Sequence, residues 1–146
     1  MQTQTSSTTP NIKRYVIKES WKDYEVTLEV DHDILTGERA ELINNFWTEP
    51  MIRSGHFDGD VVKTVIQLFG QNAICSFLEE GGVSFGSGDK WLINKVSQDL
   101  RAEEGWGGEG MDGDNNGLFG WCGIRVLAAD VSMPSFDDLE LEDQSA

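Results

Sequence analysis

The sequence predicts an α+β domain, a small and mainly antiparallel sheet covered on one face by three helices, in the order β-β-α-α-α-β. Three observations predict it. Two short β-branched runs, residues 13–20 and 24–31, flank the turn Trp21-Lys22-Asp23. Three later segments, 37–48, 59–80 and 89–103, repeat apolar residues at intervals of three and four. A closing run, 121–131, is apolar and strand-like. At 146 residues the chain can bury about 68–70% of the surface its unfolded form exposes, enough for one domain without staples. The reading is a disordered leader over 1–11, one domain over 12–133 and an acidic tail over 134–146.

Each element has its own signal. In 24–31, Tyr24, Val26, Leu28 and Val30 share one face, and Glu25, Thr27 and Glu29 share the other. That period of two marks a half-buried strand with an acidic outer face. The first helix has Thr36 as its expected N-cap, Leu42, Ile43, Phe46 and Trp47 as its apolar stripe, and Pro50 as its stop. The second has Asp58 as its expected N-cap and Val62, Val65, Ile66, Phe69, Ala73, Phe77 and Leu78 as its core face, and it ends at Gly81-Gly82. Gly70 in its middle invites a close approach by another backbone. The third presents Leu92, Ile93, Val96 and Leu100 on one side. The last strand alternates less than 24–31 and is more apolar, which places it centrally beside the hairpin.

Composition narrows the chemistry. Eleven bases against 26 acids give a net charge of −15, which argues against direct binding to nucleic acid or to an anionic membrane. Residues 1–10 lack the basic and apolar stretches of a secretory signal, and a cytoplasmic location is expected. Cys75 and Cys122 are expected as buried free thiols. His32 and His56 stand apart from any zinc-type spacing. The aromatics Trp47, Phe69, Phe77 and Trp91 are expected in the core, while Trp106, Phe119 and Trp121 flank a glycine-rich loop over 105–120.

Within that loop, Asp112-Gly113-Asp114-Asn115-Asn116-Gly117 matches the first half of a calcium loop, with oxygen donors on alternate residues. Position twelve, which should be a glutamate, is Gly123. A polar turn is the simpler reading; a calcium site on Asp112, Asp114 and Asn116 is the other. No phosphate-loop pattern is present, and no base lies between Arg101 and Arg125. The acid pairs Glu103-Glu104 and Asp31 with Asp33 are expected by chance in so acidic a chain. No nucleophile with its base is marked, so no enzyme and no cofactor are expected.

The charge is the most informative feature. Candidate partner-binding residues are Glu25 and Glu29 on the hairpin, Glu38 and Glu41 on the first helix, and the tail. There Phe136, Leu139 and Leu141 interleave with Asp137, Asp138, Glu140, Glu142 and Asp143. Such a surface suits a basic protein, and carboxylates spaced like phosphates would suit one that handles nucleic acid. Dimerisation through the hairpin edge is compatible with the same reading.

The segments KRYVIKESWKDYEVTLEVDHDILT, ELINNFW, DGDVV, GLFGWCGIRV and PSFDDLEL resemble an uncharacterised family of short bacterial proteins carried by phages and plasmids. The resemblance spans about residues 12–142 and brings no catalytic residues. It implies an accessory role in a mobile element. By analogy, small acidic proteins in that setting suggest an antagonist of host defence, of the anti-CRISPR or anti-restriction kind. A small-molecule or calcium-binding domain built on residues 105–121 is the alternative.

Overall fold

The computed structural model describes residues 11–20, 23–109 and 118–144. The strands β1 (Ile12–Glu19), β2 (Tyr24–Asp31), β3 (Gly82–Phe85) and β4 (Ile124–Ser132) form one antiparallel sheet in the order β1-β2-β4-β3. The helices are α1 (Gly37–Phe46), α2 (Pro50–Gly55), α3 (Val61–Glu79) and α4 (Lys90–Arg101), and a 3-10 turn covers Phe136–Asp138. The fold is α+β, with two more short elements than the sequence predicts. The leader read over 1–11 lies outside the described residues except for Asn11, whose carbonyl accepts from the His32 amide.

Strand β2 sets the core because its alternation is strict. Val26, Leu28 and Val30 are fully buried, and α3 meets them with Val65, Phe69 and Ala73 in one cluster. Burying each such side chain contributes about 1.5–3 kcal/mol. By length and composition α3 could cross a membrane, with a mean hydropathy of 1.3. In this fold eight of its residues are buried, among them Thr64, Leu68 and Phe77. Gly70 meets a side chain rather than a backbone: a Cβ there would lie 2.5 Å from Ile17 Cγ1 and 2.9 Å from Ile17 Cβ. The missing side chain lets β1 close onto α3.

Strand β4 is central, as its apolar character predicts, and its irregular pattern has a cause. Leu28 pairs with Val126 and Thr27 with Ala128, so Leu127 is an extra residue in a β-bulge. The bulge shifts the phase by one. Ile124 and Val126 face the core before it, and Ala129 and Val131 after it.

Strand β3 pairs only with residues 129–132 of β4. Beyond its reach α4 completes the backbone of β4. The Ser97 hydroxyl accepts from the Val126 amide at 2.9 Å and donates to the Val126 carbonyl at 3.5 Å. Arg101 Nη1 donates to the Ile124 carbonyl at 3.0 Å. A helix thus covers an edge that would otherwise hold buried, unpaired groups.

Several expectations are corrected. Asp60, not Asp58, caps α3, accepting from the Lys63 amide at 3.1 Å; Asp58 sits in the left-handed region (φ 56°) and cannot take the extended cap conformation. Pro50 starts α2 at its first position rather than only stopping α1. Arg53 then ties that corner to Asn44, donating to its side-chain and backbone oxygens at 2.8 and 2.9 Å. Residues 121–123 precede the last strand in a turn. Leu42, Phe46 and Trp91 are exposed at 60%, 52% and 72%, because Ala40, Ile43 and Asn44 form the buried side of α1 and α4 docks through Ile93, Ser97 and Leu100. Of the thiols, Cys122 is buried and Cys75 is exposed.

Candidate functional site

The proposed partner-binding residues fall into three places. Glu25 and Glu29 lie on the helix-free face of the sheet, Glu38 and Glu41 on the solvent side of α1, and the rest in the tail after β4. The structure therefore does not gather them into one surface.

The sheet acids are engaged within the chain. Glu29 stands directly between Arg14 on β1 and Arg125 on β4 in the strand register. Arg125 donates from Nε and Nη2 to Glu29 Oε1 at 2.8 and 2.6 Å, and Arg14 Nε lies 3.5 Å from Oε2. The Glu29 side chain is only 12% exposed. Arg125 also stacks over Phe119, 5.2 Å from its ring centre. Glu25 pairs with Lys18 at 3.6 Å, a looser and more exposed contact. On this face Glu29 and Glu25 each meet a base across the strands, while Asp130 of β4 stands opposite Glu25, acid against acid. Only the outward alternation of both strands hints at this; the partner identities depend on register.

Helix α1 and the tail are different. Glu38, Glu41, Leu42 and Asn45 share one exposed helical face with Phe46 beside it. In the tail Phe136, Leu139 and Leu141 are 89%, 64% and 97% exposed. A capping box fixes the start of the tail: Asp138 accepts from the Ser135 amide at 3.1 Å, and the Asp138 amide bonds back to Ser135. From Leu139 the backbone is extended (φ −97°, ψ 152°).

The base of the glycine-rich loop is closed by Arg101, a residue sequence reasoning passes over. It is 1% exposed. Its Nε and Nη2 donate to the two Glu109 carboxylate oxygens at 2.9 and 2.6 Å, and its Nη1 donates to Leu118 and Ile124 carbonyls. The Arg101 carbonyl accepts from Gly108, whose own carbonyl accepts from Trp121. Gly120 (φ 66°) makes room for the guanidinium, since a Cβ there would lie 2.5 Å from Arg101 Nε. Trp106 and Phe119 are buried at the loop base, and Trp106 packs edge-on against Phe69. Arg39 donates to the Trp121 carbonyl at 2.7 Å and lies over its ring. The candidate cation ligands Asp112, Asp114 and Asn116 lie outside the described residues. Both oxygens of Glu109 are already taken by Arg101.

Cys122 and His32 also carry shifted protonation. Burial pushes the Cys122 thiol up to about 11, so it stays protonated. His32, 2.7 Å from the Tyr15 hydroxyl, is held below its ordinary value first by burial and then by Lys13. Which of the phenol and Nε2 donates is set by the imidazole tautomer. Among the described residues no group of three or more His, Cys, Asp or Glu side chains could hold a metal ion.

Comparison with known proteins places this architecture. The chain is 31% identical over 126 residues to "Protein ea10" of Escherichia phage lambda, covering 82% of this chain and 98% of that protein. It is equally similar to "Lambda prophage-derived protein ea10" of Escherichia coli O6:H1 strain CFT073. No solved structure matches. Residues 25–141 match the model of a protein family described as "Protein of unknown function (DUF2528)". The match runs from β2 through all the helices into the tail, and the chain belongs to this phage-associated family.

Proposed function

We propose that this is a small non-enzymatic protein of a mobile genetic element that acts in the host cytoplasm. It binds and inhibits a basic, nucleic-acid-handling host defence protein, in the manner of anti-CRISPR or anti-restriction inhibitors. The tail carries this reading. Three exposed apolar side chains among five acids, on a stem fixed by a capping box, make an acidic docking segment with apolar anchors. The acidic and apolar face of α1, with Glu38, Glu41 and Leu42, supports it as a second contact. Similarity to a phage lambda protein fits the mobile-element setting. The ion-paired outer face of the sheet argues for docking by the tail over broad mimicry of a phosphate backbone.

The test is capture of host proteins by the tagged chain at low salt. A nucleic-acid-binding complex should co-elute and be lost as salt rises. The variant Asp137→Lys, Asp138→Lys, Glu140→Lys, Glu142→Lys should lose that complex while unfolding at the temperature of the parent chain. Equal capture by the reversed tail would remove it as the docking element.

A further inference from the structure

The edge strand β1 borders a groove. A cavity of about 490 Å³ lies between β1 and α3, lined by Ile17, Tyr24, Gln71, Ile74, Cys75 and Leu78. Through Val16, Ile17 and Gln67 it adjoins a second cavity of about 330 Å³ that reaches Tyr15 and Phe57. Among the described residues no strand pairs with the far side of β1, and Val16 is 50% exposed. An edge of eight residues above a groove with an apolar floor of Ile17, Ile74 and Leu78 and a polar rim of Lys18, Glu19, Gln67 and Gln71 is a template for an added strand.

The charges say which strand fits. In a chain of −15, β1 holds three of the 11 bases, Lys13, Arg14 and Lys18. The Arg14 and Lys18 side chains lie on its outer face and remain 66% and 68% exposed. Pairing β1 with itself about Val16 would set Arg14 opposite Lys18, like against like. The tail has the complementary pattern. Leu139 and Leu141 alternate with Glu140 and Glu142, and the leucines find no cover on their own chain. Added to β1, such a strand lays its leucines over the groove and its glutamates beside Arg14 and Lys18.

We propose that the tail segment Leu139–Glu142 of one copy adds to β1 of a second copy, so that two chains exchange tails in a symmetric dimer. At physiological ionic strength charges beyond about 8 Å are screened, which weakens the overall repulsion of two acidic chains. A tail held this way is withheld from any other basic partner.

The groove carries its own reporter, Cys75, while Cys122 is buried. In the full chain, Leu141→Cys under mild oxidation should give a disulfide-linked dimer, and adding Cys75→Ser should abolish it. Sedimentation at physiological ionic strength should show a dimer for the parent chain and a monomer for Cys75→Glu. That exposed site leaves fold and tail intact, so Cys75→Glu should still capture a host partner if the tail-docking reading holds. A reversed tail should lose both. In the Leu141→Cys variant, a disulfide from position 141 to Cys75 within one chain would place the tail in its own groove and overturn the exchange. A monomer with no cross-link would overturn the groove as a tail site.

Discussion

Replacing Arg101 by methionine should open the base of the glycine-rich loop. The methionine keeps much of the apolar stem and removes the guanidinium. Lost with it are two charge-assisted bonds to Glu109 and the donors to the Leu118 and Ile124 carbonyls. Glu109 is 40% exposed in its side chain and regains water, so its share of the loss is small. The buried Ile124 carbonyl loses its donor at about 1–3 kcal/mol, and the partly buried Leu118 carbonyl at about 1 kcal/mol. A total of about 3–5 kcal/mol agrees with the usual cost of breaking a buried pair from one side. At about 2–4 °C per kcal/mol, the melting temperature should fall by about 6–20 °C. Urea unfolding followed by the fluorescence of Trp106 and Trp121, which flank the clamp, measures it directly. Glu109→Gln should also cost about 3–5 kcal/mol, because the buried guanidinium would lose the carboxylate and meet one amide donor in its place. Gly120→Ala should reproduce much of the Arg101 effect, because its methyl would lie 2.5 Å from Nε and push the guanidinium aside. If Arg101→Met stays within about 1 kcal/mol of the parent chain, the clamp does not hold the loop base and the reasoning fails.

Gly70→Ala should destabilise by about 1–2 kcal/mol in chemical denaturation, although alanine favours helix by about 1 kcal/mol, because the methyl collides with Ile17 Cβ itself; a stabilised variant would show that β1 is free to shift. Ser97→Ala should cost about 1–3 kcal/mol by leaving the Val126 amide without its acceptor, and Ser97→Thr should recover part of that, both read from urea midpoints. His32 is held below 6.5 in the fold, so the unfolded chain takes up its proton first as pH falls. The stability it contributes is present above 6.5 and is lost below it. His32→Gln should therefore show a shallower loss of stability than the parent chain between about pH 7 and pH 5, and equal slopes would refute the assignment.

Elements that carry their own periodicity were legible in the sequence. The face of β2, the core stripe of α3 and the Thr36 cap of α1, which accepts from the Arg39 amide, needed no tertiary information. Strand β3 was not legible, because Gly82–Phe85 is four residues long and is a strand only as the partner of residues 129–132. Helix α2 was hidden because Pro50 is equally suited to stop one helix and to start the next. The two aspartates before α3 differ only in backbone conformation, which sequence does not print. The Arg101 clamp and the Arg14–Glu29–Arg125 ladder join residues whose distances along the chain follow from register and packing alone. Of the candidate site, the exposure of the tail followed from its composition. The engagement of Glu29 did not, because it requires knowing that β4 lies beside β2.

The distribution of charge bears on how so acidic a chain would meet a basic partner. The four strands hold four bases, Lys13, Arg14, Lys18 and Arg125, against five acids, Glu19, Glu25, Glu29, Asp31 and Asp130. The sheet is therefore nearly neutral in a chain of −15, and the excess sits on helices, loops and tail. A surface that imitates a phosphate backbone needs carboxylates held in a fixed array and left unpaired. The sheet instead pairs Glu25 and Glu29 with bases. The tail concentrates five acids where no base is present between Pro134 and Ala146. On the proposed function, long-range attraction toward a basic surface would come from the whole chain, and the contact that selects a partner would rest on the tail and its leucines. If the tail also adds to β1 of a second copy as proposed, the two uses of the tail would compete. Raising the protein concentration should thus lower the fraction of chains able to bind a basic partner. Cys75→Glu should abolish that dependence without changing the affinity of the free tail.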